Sequence, residues 1–255
     1  MTKKRSTATR RADSEAAATR AAEIRAHQER AERRRRTLVV GGVVVAVLLL
    51  VLGIGYAVQS SRDTTGQAAS APSGASGFGI PVGQSSAPVK VTVYEDFMCP
   101  FCGQFEAASR TAFDRAVAAG KLQVTYHVLN FLDRSSSTEY SSRAANAMAV
   151  VLDASGPDVA KKFHDLLFQN QPAEGSAGLS DAKLTALAVR AGADEQQVAT
   201  PIKDRAFEKW VTNVTDQSSK DGVNSTPTVL LNGKKVAFTT TDGLVAKLEK
   251  AVAAG

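Results

Sequence analysis

The chain has 255 residues, 44% of them hydrophobic, with a formal net charge of +6. That composition is globular and excludes a disordered or fibrous chain, and two cysteines are too few for a disulfide-stapled scaffold. The charge is uneven: residues 1–36 carry twelve Lys/Arg against five acids, a net of +7, so the remainder sums to −1 and the basic pI says nothing about the folded part's substrates.

In chain order, residues 1–36 form a basic tail in which Glu29/Arg33 and Glu32/Arg36 at i,i+4 spacing predict a juxtamembrane helix. From Leu38 to Val58 the chain runs 21 residues without a charge, enough to cross a bilayer, so residues 37–58 are expected as a single transmembrane helix. The long basic lead favours an anchor over a cleaved signal peptide, although Ala68, Ala69 and Ala71 would suit a peptidase. No cysteine follows to form a lipoprotein box, and the segment is more apolar than a twin-arginine signal. Arg33 to Arg36 orient the basic end to the cytoplasm by the positive-inside rule and leave residues 59–255 outside, in an oxidising compartment. Beside a membrane helix, such a tail fits anionic headgroups rather than nucleic acid. Residues 59–79 are rich in Ser, Gly, Ala and Pro and are expected as a flexible tether.

The folded domain is expected at 80–255. Val89, Val91 and Val93 alternate with polar residues as in a half-buried strand. A helix follows with Phe105, Ala108, Phe113 and Val117 on one stripe, and Leu122 to Leu129 reads as a second strand. From about 138 to 221 the pattern is helical, with Phe207, Trp210, Val211 and Val214 as a core stripe. Strand Thr228 to Leu231, an Asn232-Gly233 turn, strand Lys235 to Thr239 and a helix from Asp242 to Ala253 complete an α/β domain with a helical insertion.

The two cysteines, Cys99 and Cys102, stand three apart between the first strand and the first helix. Cys99 is expected at the N-cap, with Pro100 at the first helical position, where a missing N–H costs nothing. Unpaired N–H groups and the helix dipole there favour an anion, so Cys99 is the candidate attacking thiolate and Cys102, one turn on, the resolving thiol. A static bridge across so short a loop would gain little chain entropy. A metal site would need further ligands, and only His127 and His164 lie in the part of the chain expected beyond the membrane, residues 59–255, each more simply an ordinary core or surface histidine. No metal or cofactor is expected. Thr226-Pro227 opens the late strand, where proline is tolerated as the first residue.

The runs Val91–Phe105 (VTVYEDFMCPFCGQF) and Val223–Asn232 (VNSTPTVLLN) resemble the DsbA-like branch of the thioredoxin-fold thiol-disulfide oxidoreductases, and the resemblance extends from Ile80 to the C-terminus. It implies a thioredoxin-like fold with a helical insertion, nucleophilic Cys99, resolving Cys102, and a cis-proline loop at Thr226-Pro227 that binds substrate backbone. It also implies that Pro100 and Phe101 tune the potential. The most oxidising members have Pro-His between the cysteines, and Phe101 can give the thiolate neither a hydrogen bond nor a charge, so a less oxidising potential is expected. One departure is Val93, where many relatives have a buried carboxylate serving the resolving thiol. Glu95 and Asp96 are the nearest substitutes and are expected to be exposed at the strand end. The implied partners are exported polypeptides with cysteine thiols and a membrane-embedded quinone-linked oxidase of the DsbB or vitamin K epoxide reductase type. The residues leave open the direction of electron flow, oxidase against reductase or isomerase, and a non-catalytic binding or metal-carrying module.

Overall fold

The structure, a computed structural model, describes residues 69–254. The expected basic tail, membrane helix and tether as far as residue 68 lie outside them. Among the described residues no helix is long and apolar enough to cross a membrane. Residues 69–79 depart from a free tether: Pro72 is buried, the Ser73 N–H donates to Asp153 Oδ1 at 2.7 Å, and Ala75 and Phe78 pack against the core. Small residues suggest a linker by composition, yet Ser76 and Gly79 exchange two backbone hydrogen bonds and so fix this segment.

One sheet has the order β1-β3-β2-β4-β5, with β1 at Ile80–Val82, β2 at Val89–Glu95, β3 at Leu122–Val128, β4 at Thr228–Leu231 and β5 at Lys234–Lys235. β2 and β3 are parallel, which requires a crossover, and helix α1 (Pro100–Ala118) provides it. The other pairs are antiparallel. Central strand β2 buries Val89, Val91 and Val93 on one face, and its last residues, Tyr94 and Glu95, are buried as well. The hairpin turn forms as expected, with Asn232 and Gly233 at φ 47° and 78°, the left-handed pair that matches strand twist. Its second strand is shorter than expected. Only Lys234–Lys235 pairs, and after the Val236 N–H donates to the Val229 carbonyl the chain leaves the sheet.

The helical insertion comprises α2 (Tyr140–Gln169), α3 (Asp181–Ala191), α4 (Glu195–Lys203) and α5 (Glu208–Lys220), and α6 (Thr241–Ala254) closes the domain against α1. Within α2, Gly156 at φ 78° ahead of Pro157 breaks the helix, and the half beyond the break carries residues that reach the site below. The stretch from Asp194 to Val214 reads as one helix in sequence but is two. Arg205 takes a left-handed φ of 53° between them, its guanidinium 2.7 Å from carboxylates of Glu139 and Glu208. Trp210, Val211 and Val214 are buried, each such side chain stabilising the core by roughly 1.5–3 kcal/mol, while Phe207 at the helix start is half-buried.

Candidate active site

Cys99 is the N-cap of α1 in extended conformation (φ −73°, ψ 116°), with Pro100 following at the first helical position. The chain reaches it through a turn in which the Cys99 N–H donates to the Asp96 carbonyl at 3.0 Å. Both cysteines are free thiols, Cys102 without solvent exposure and Cys99 nearly so. Their electrostatics diverge. A hydrogen bond from the Cys102 thiol brings Cys99 down to about 6 against the opposing effect of burial, with help from the Thr226 side chain and the N–H groups of Cys102 and Phe101. No N–H meets the Cys99 sulfur at full capping geometry, so these groups act as dipoles at slightly longer range. Burial first, then Cys99 itself and Glu95, push Cys102 well above its ordinary value.

Sheet register explains the approach of the second motif. β4 runs antiparallel to β2 with Thr228 opposite Tyr94, so the start of β4 sits beside the end of β2 that leads into Cys99. The Thr226-Pro227 peptide bond is cis, and the Cys99 Sγ donates to the Thr226 carbonyl at 3.5 Å. Residues 127 positions apart thereby share one site.

The turn before Cys99 is held from the helical insertion. Asp96, contrary to expectation, is fully buried: its Oδ1 accepts from the Met98 N–H (2.8 Å) and the Ser141 hydroxyl (2.6 Å), and its Oδ2 from the Leu132 N–H (2.9 Å). Burial pushes its carboxyl up to about 6 even against those bonds. Gln171, just past α2, donates through Nε2 to the carbonyls of Phe97 (3.1 Å) and Cys99 (2.9 Å). Gly103 makes room for it, because a Cβ there would stand 2.2 Å from Gln171 Oε1.

Glu95 is also fully buried, again contrary to expectation, and its Oε1 lies 2.6 Å from His164 Nε2 on α2. Val93 is an apolar core residue, so the buried carboxylate of this site stands two positions later, at Glu95. The expected helix stripe needs the same correction: Ala108 is exposed and Val117 half-buried, while Cys102, Phe105, Glu106, Ser109, Phe113 and Ala116 point inward. Glu106 lies one turn beyond Cys102 on the same face. Glu95, Glu106 and His164 have ligating atoms within 4.8 Å of one another. Neither cysteine belongs to that group. His127 is apart from it, stacked on Tyr94 at 4.5 Å between ring centres, and burial brings its imidazole down to about 4.

The exposed face of α1 has its own use. Phe101, 64% exposed, lines with Ala108, Thr226, Pro227, Phe238 and Leu244 an open groove of about 900 Å³ that begins beside Cys99. Phe101 forms groove wall, and its phenyl ring offers the neighbouring sulfur neither a charge nor an N–H.

A nucleophilic thiolate at a helix N-terminus, a buried partner thiol one turn on and a cis-proline loop beside them define a thiol-disulfide exchange site. Comparison with known proteins agrees. A family model described as "Thioredoxin" matches residues 76–250. The reduced crystal structure of DsbA from Mycobacterium tuberculosis is 32% identical, with a TM-score of 0.59 over 69% of this chain and 93% of that one. The reduced disulfide bond oxidoreductase DsbG of the same organism is also 32% identical, with a TM-score of 0.59 over 74% of this chain and 92% of that one. The serine/threonine-protein kinase PknE of M. tuberculosis is 38% identical over 125 residues, 48% of this chain but only 22% of the kinase, so the match spans about a fifth of that relative. The chain belongs to the thioredoxin family, in its DsbA-like branch of thiol-disulfide oxidoreductases.

Proposed function

We propose that this protein oxidises cysteine pairs in exported polypeptides through a Cys99–Cys102 disulfide, tethered to the cell membrane by residues 37–58 with the catalytic domain outside. A client thiolate attacks the Cys99 sulfur, the Cys99–Cys102 bond breaks, and the electron pair leaves on Cys102. The client's second thiolate then attacks its own half of the mixed disulfide, leaving the client oxidised and the enzyme a dithiol. The observation that carries the reading is the placement of the two sulfurs, Cys99 at the N-cap of α1 beside Thr226 and Cys102 fully buried one turn on, which holds Cys99 down at about 6 and pushes Cys102 well above its ordinary value. A stabilised thiolate favours the reduced form and so makes the disulfide an oxidant. The groove at Phe101 and Phe238 receives the client chain, and Thr226-Pro227 lies where its backbone would pair. Return of the dithiol to the disulfide needs an electron acceptor, for which a membrane-embedded quinone-linked partner of the DsbB or vitamin K epoxide reductase type is the class implied.

Trapping tests this reading. Cys102→Ala should accumulate mixed disulfides between Cys99 and client proteins, and Cys99→Ser should abolish both adducts and oxidation of a reduced model client. Client oxidation that survives Cys99→Ser would refute it. Turnover in the reducing direction only, with a low Cys99–Cys102 potential, would make the protein a reductase instead.

A further inference from the structure

Among the described residues three large hydrophobic side chains are exposed, and two of them, Phe101 (64%) and Phe238 (36%), line the same groove. Clustered exposed aromatics of this kind mark a surface that takes a partner. They account for a client chain lying there, and they do not choose between clients. We propose that Asp242 makes that choice: the groove selects client segments with a Lys or Arg, next to an apolar residue, within about four positions of the attacked cysteine, and disfavours acidic segments. The proposal rests on the client-oxidation reading above and deepens it.

Charge in the groove is one-sided. Asp242 is the one charged side chain among its lining residues, although the chain beyond residue 36 has nearly equal numbers of acids and bases. Asp242 is exposed, and among the described residues its carboxylate has neither an ion-pair nor a hydrogen-bond partner. Lys247, five residues on along α6, sends its Nζ to the Ala237 carbonyl at 2.6 Å instead, and so anchors the backbone just ahead of Phe238. An acid in the first turn of a helix is favourable in itself, through the helix dipole. That need is already met in part, because Thr240 Oγ1 accepts from the Gly243 N–H at 3.2 Å at the start of α6. The Asp242 charge is left to the groove.

Placement sets the reach. Thr226, whose carbonyl meets the Cys99 sulfur, lines the groove together with Pro227, so the space is continuous with the point where a client cysteine attacks. The α1 wall extends from Phe101 to Ala108, about 10 Å at 1.5 Å per residue. An extended client advances about 3.3 Å per residue, so about three residues beside its cysteine lie in the groove. An apolar client side chain covers Phe101 or Phe238, and a cation beside it meets the Asp242 carboxylate. The two exposed rings favour the same sign of charge, since their faces attract cations. Arg gains further by offering a carboxylate two N–H groups at once. A Glu or Asp at that position meets a like charge and finds no Lys or Arg in the wall to offset it.

The test uses the 255-residue chain in its oxidised form. It is mixed with two-cysteine peptides, identical except for Lys, Gln or Glu placed two, three or four residues from a cysteine on either side, and dithiol loss is followed by acid quench and alkylation. At one or more positions the Lys peptide should be oxidised roughly threefold to tenfold faster than the Glu peptide, the worth of one exposed attraction exchanged for one repulsion. Asp242→Asn should reduce that Lys-to-Glu ratio severalfold and Asp242→Lys should invert it. Dividing the wild-type ratio by the Asp242→Asn ratio cancels each peptide's own thiol reactivity, and each ratio is independent of the fraction of protein folded. In about 1 M salt, where the screening length is about 3 Å, the two ratios should converge. Equal ratios in wild type and Asp242→Asn at every position would overturn the proposal while the oxidation of all three peptides upheld the oxidase reading. Oxidation of none of the peptides would remove that reading and the proposal with it.

Discussion

Gln171 Nε2 donates to the carbonyl oxygen of Cys99 at 2.9 Å and to that of Phe97 at 3.1 Å, so the end of the longest inserted helix grips the backbone that presents the reactive sulfur. Together with Ser141 on Asp96 and His164 on Glu95, this makes the helical insertion part of the active site rather than a lid beside it.

Gln171→Ala should therefore cost about 1–3 kcal/mol, the net worth of two hydrogen bonds at half-buried carbonyls. Chemical denaturation of the reduced and oxidised forms measures it. Client oxidation should slow in parallel as the Cys99 turn loosens, and unchanged stability in both forms would remove the gripping role.

Phe101→His should make the protein a stronger oxidant. The side chain stands in the exposed position between the cysteines, where an imidazole can bring a positive charge and an N–H toward the Cys99 thiolate that a phenyl ring cannot. The equilibrium constant against glutathione should move by roughly tenfold or more, about 30 mV per tenfold for this two-electron couple, toward the reduced enzyme.

Stability of the reduced form should rise relative to the oxidised form as pH goes from about 6 to about 9. Only the reduced form has a titrating Cys99, whose folded value of about 6 lies below its ordinary 9.0. A lowered value means the folded thiol binds fewer protons than the unfolded one within that window, so stability grows with pH there and is lost as pH falls through 6. Cys102, pushed upward, stays protonated over the same range. Paired melting curves of the two redox forms measure the difference, and a gap that closes with rising pH would contradict the assignment.

The cysteine spacing, Pro100 and Thr226-Pro227 were legible in the sequence because each has a local cause: a strand-to-helix junction, a tolerated N1 proline, and a strand opening. Glu95, Asp96, Glu106 and His164 were not. A charged residue at a strand end or on a helix reads as solvated, and here Glu95, Asp96 and Glu106 are buried because α2, distant in sequence, packs over them, while His164 is buried as part of the face of α2 that does so. Ala108 fails in the opposite direction, an apolar side chain left exposed as groove wall while Glu106 and Ser109 turn inward. The helix break falls at Arg205, four residues past Pro201, which itself lies inside α4, and ion pairs to Glu139 and Glu208 hold the left-handed turn there.

The central claim is that Cys99 is the activated nucleophile, and the pH dependence of its alkylation in the reduced protein tests it most directly. Iodoacetamide followed by peptide mapping should modify Cys99 alone, with a midpoint near 6, and Thr226→Val should move that midpoint upward. A midpoint near 9 for Cys99, or faster modification of Cys102, would contradict the account.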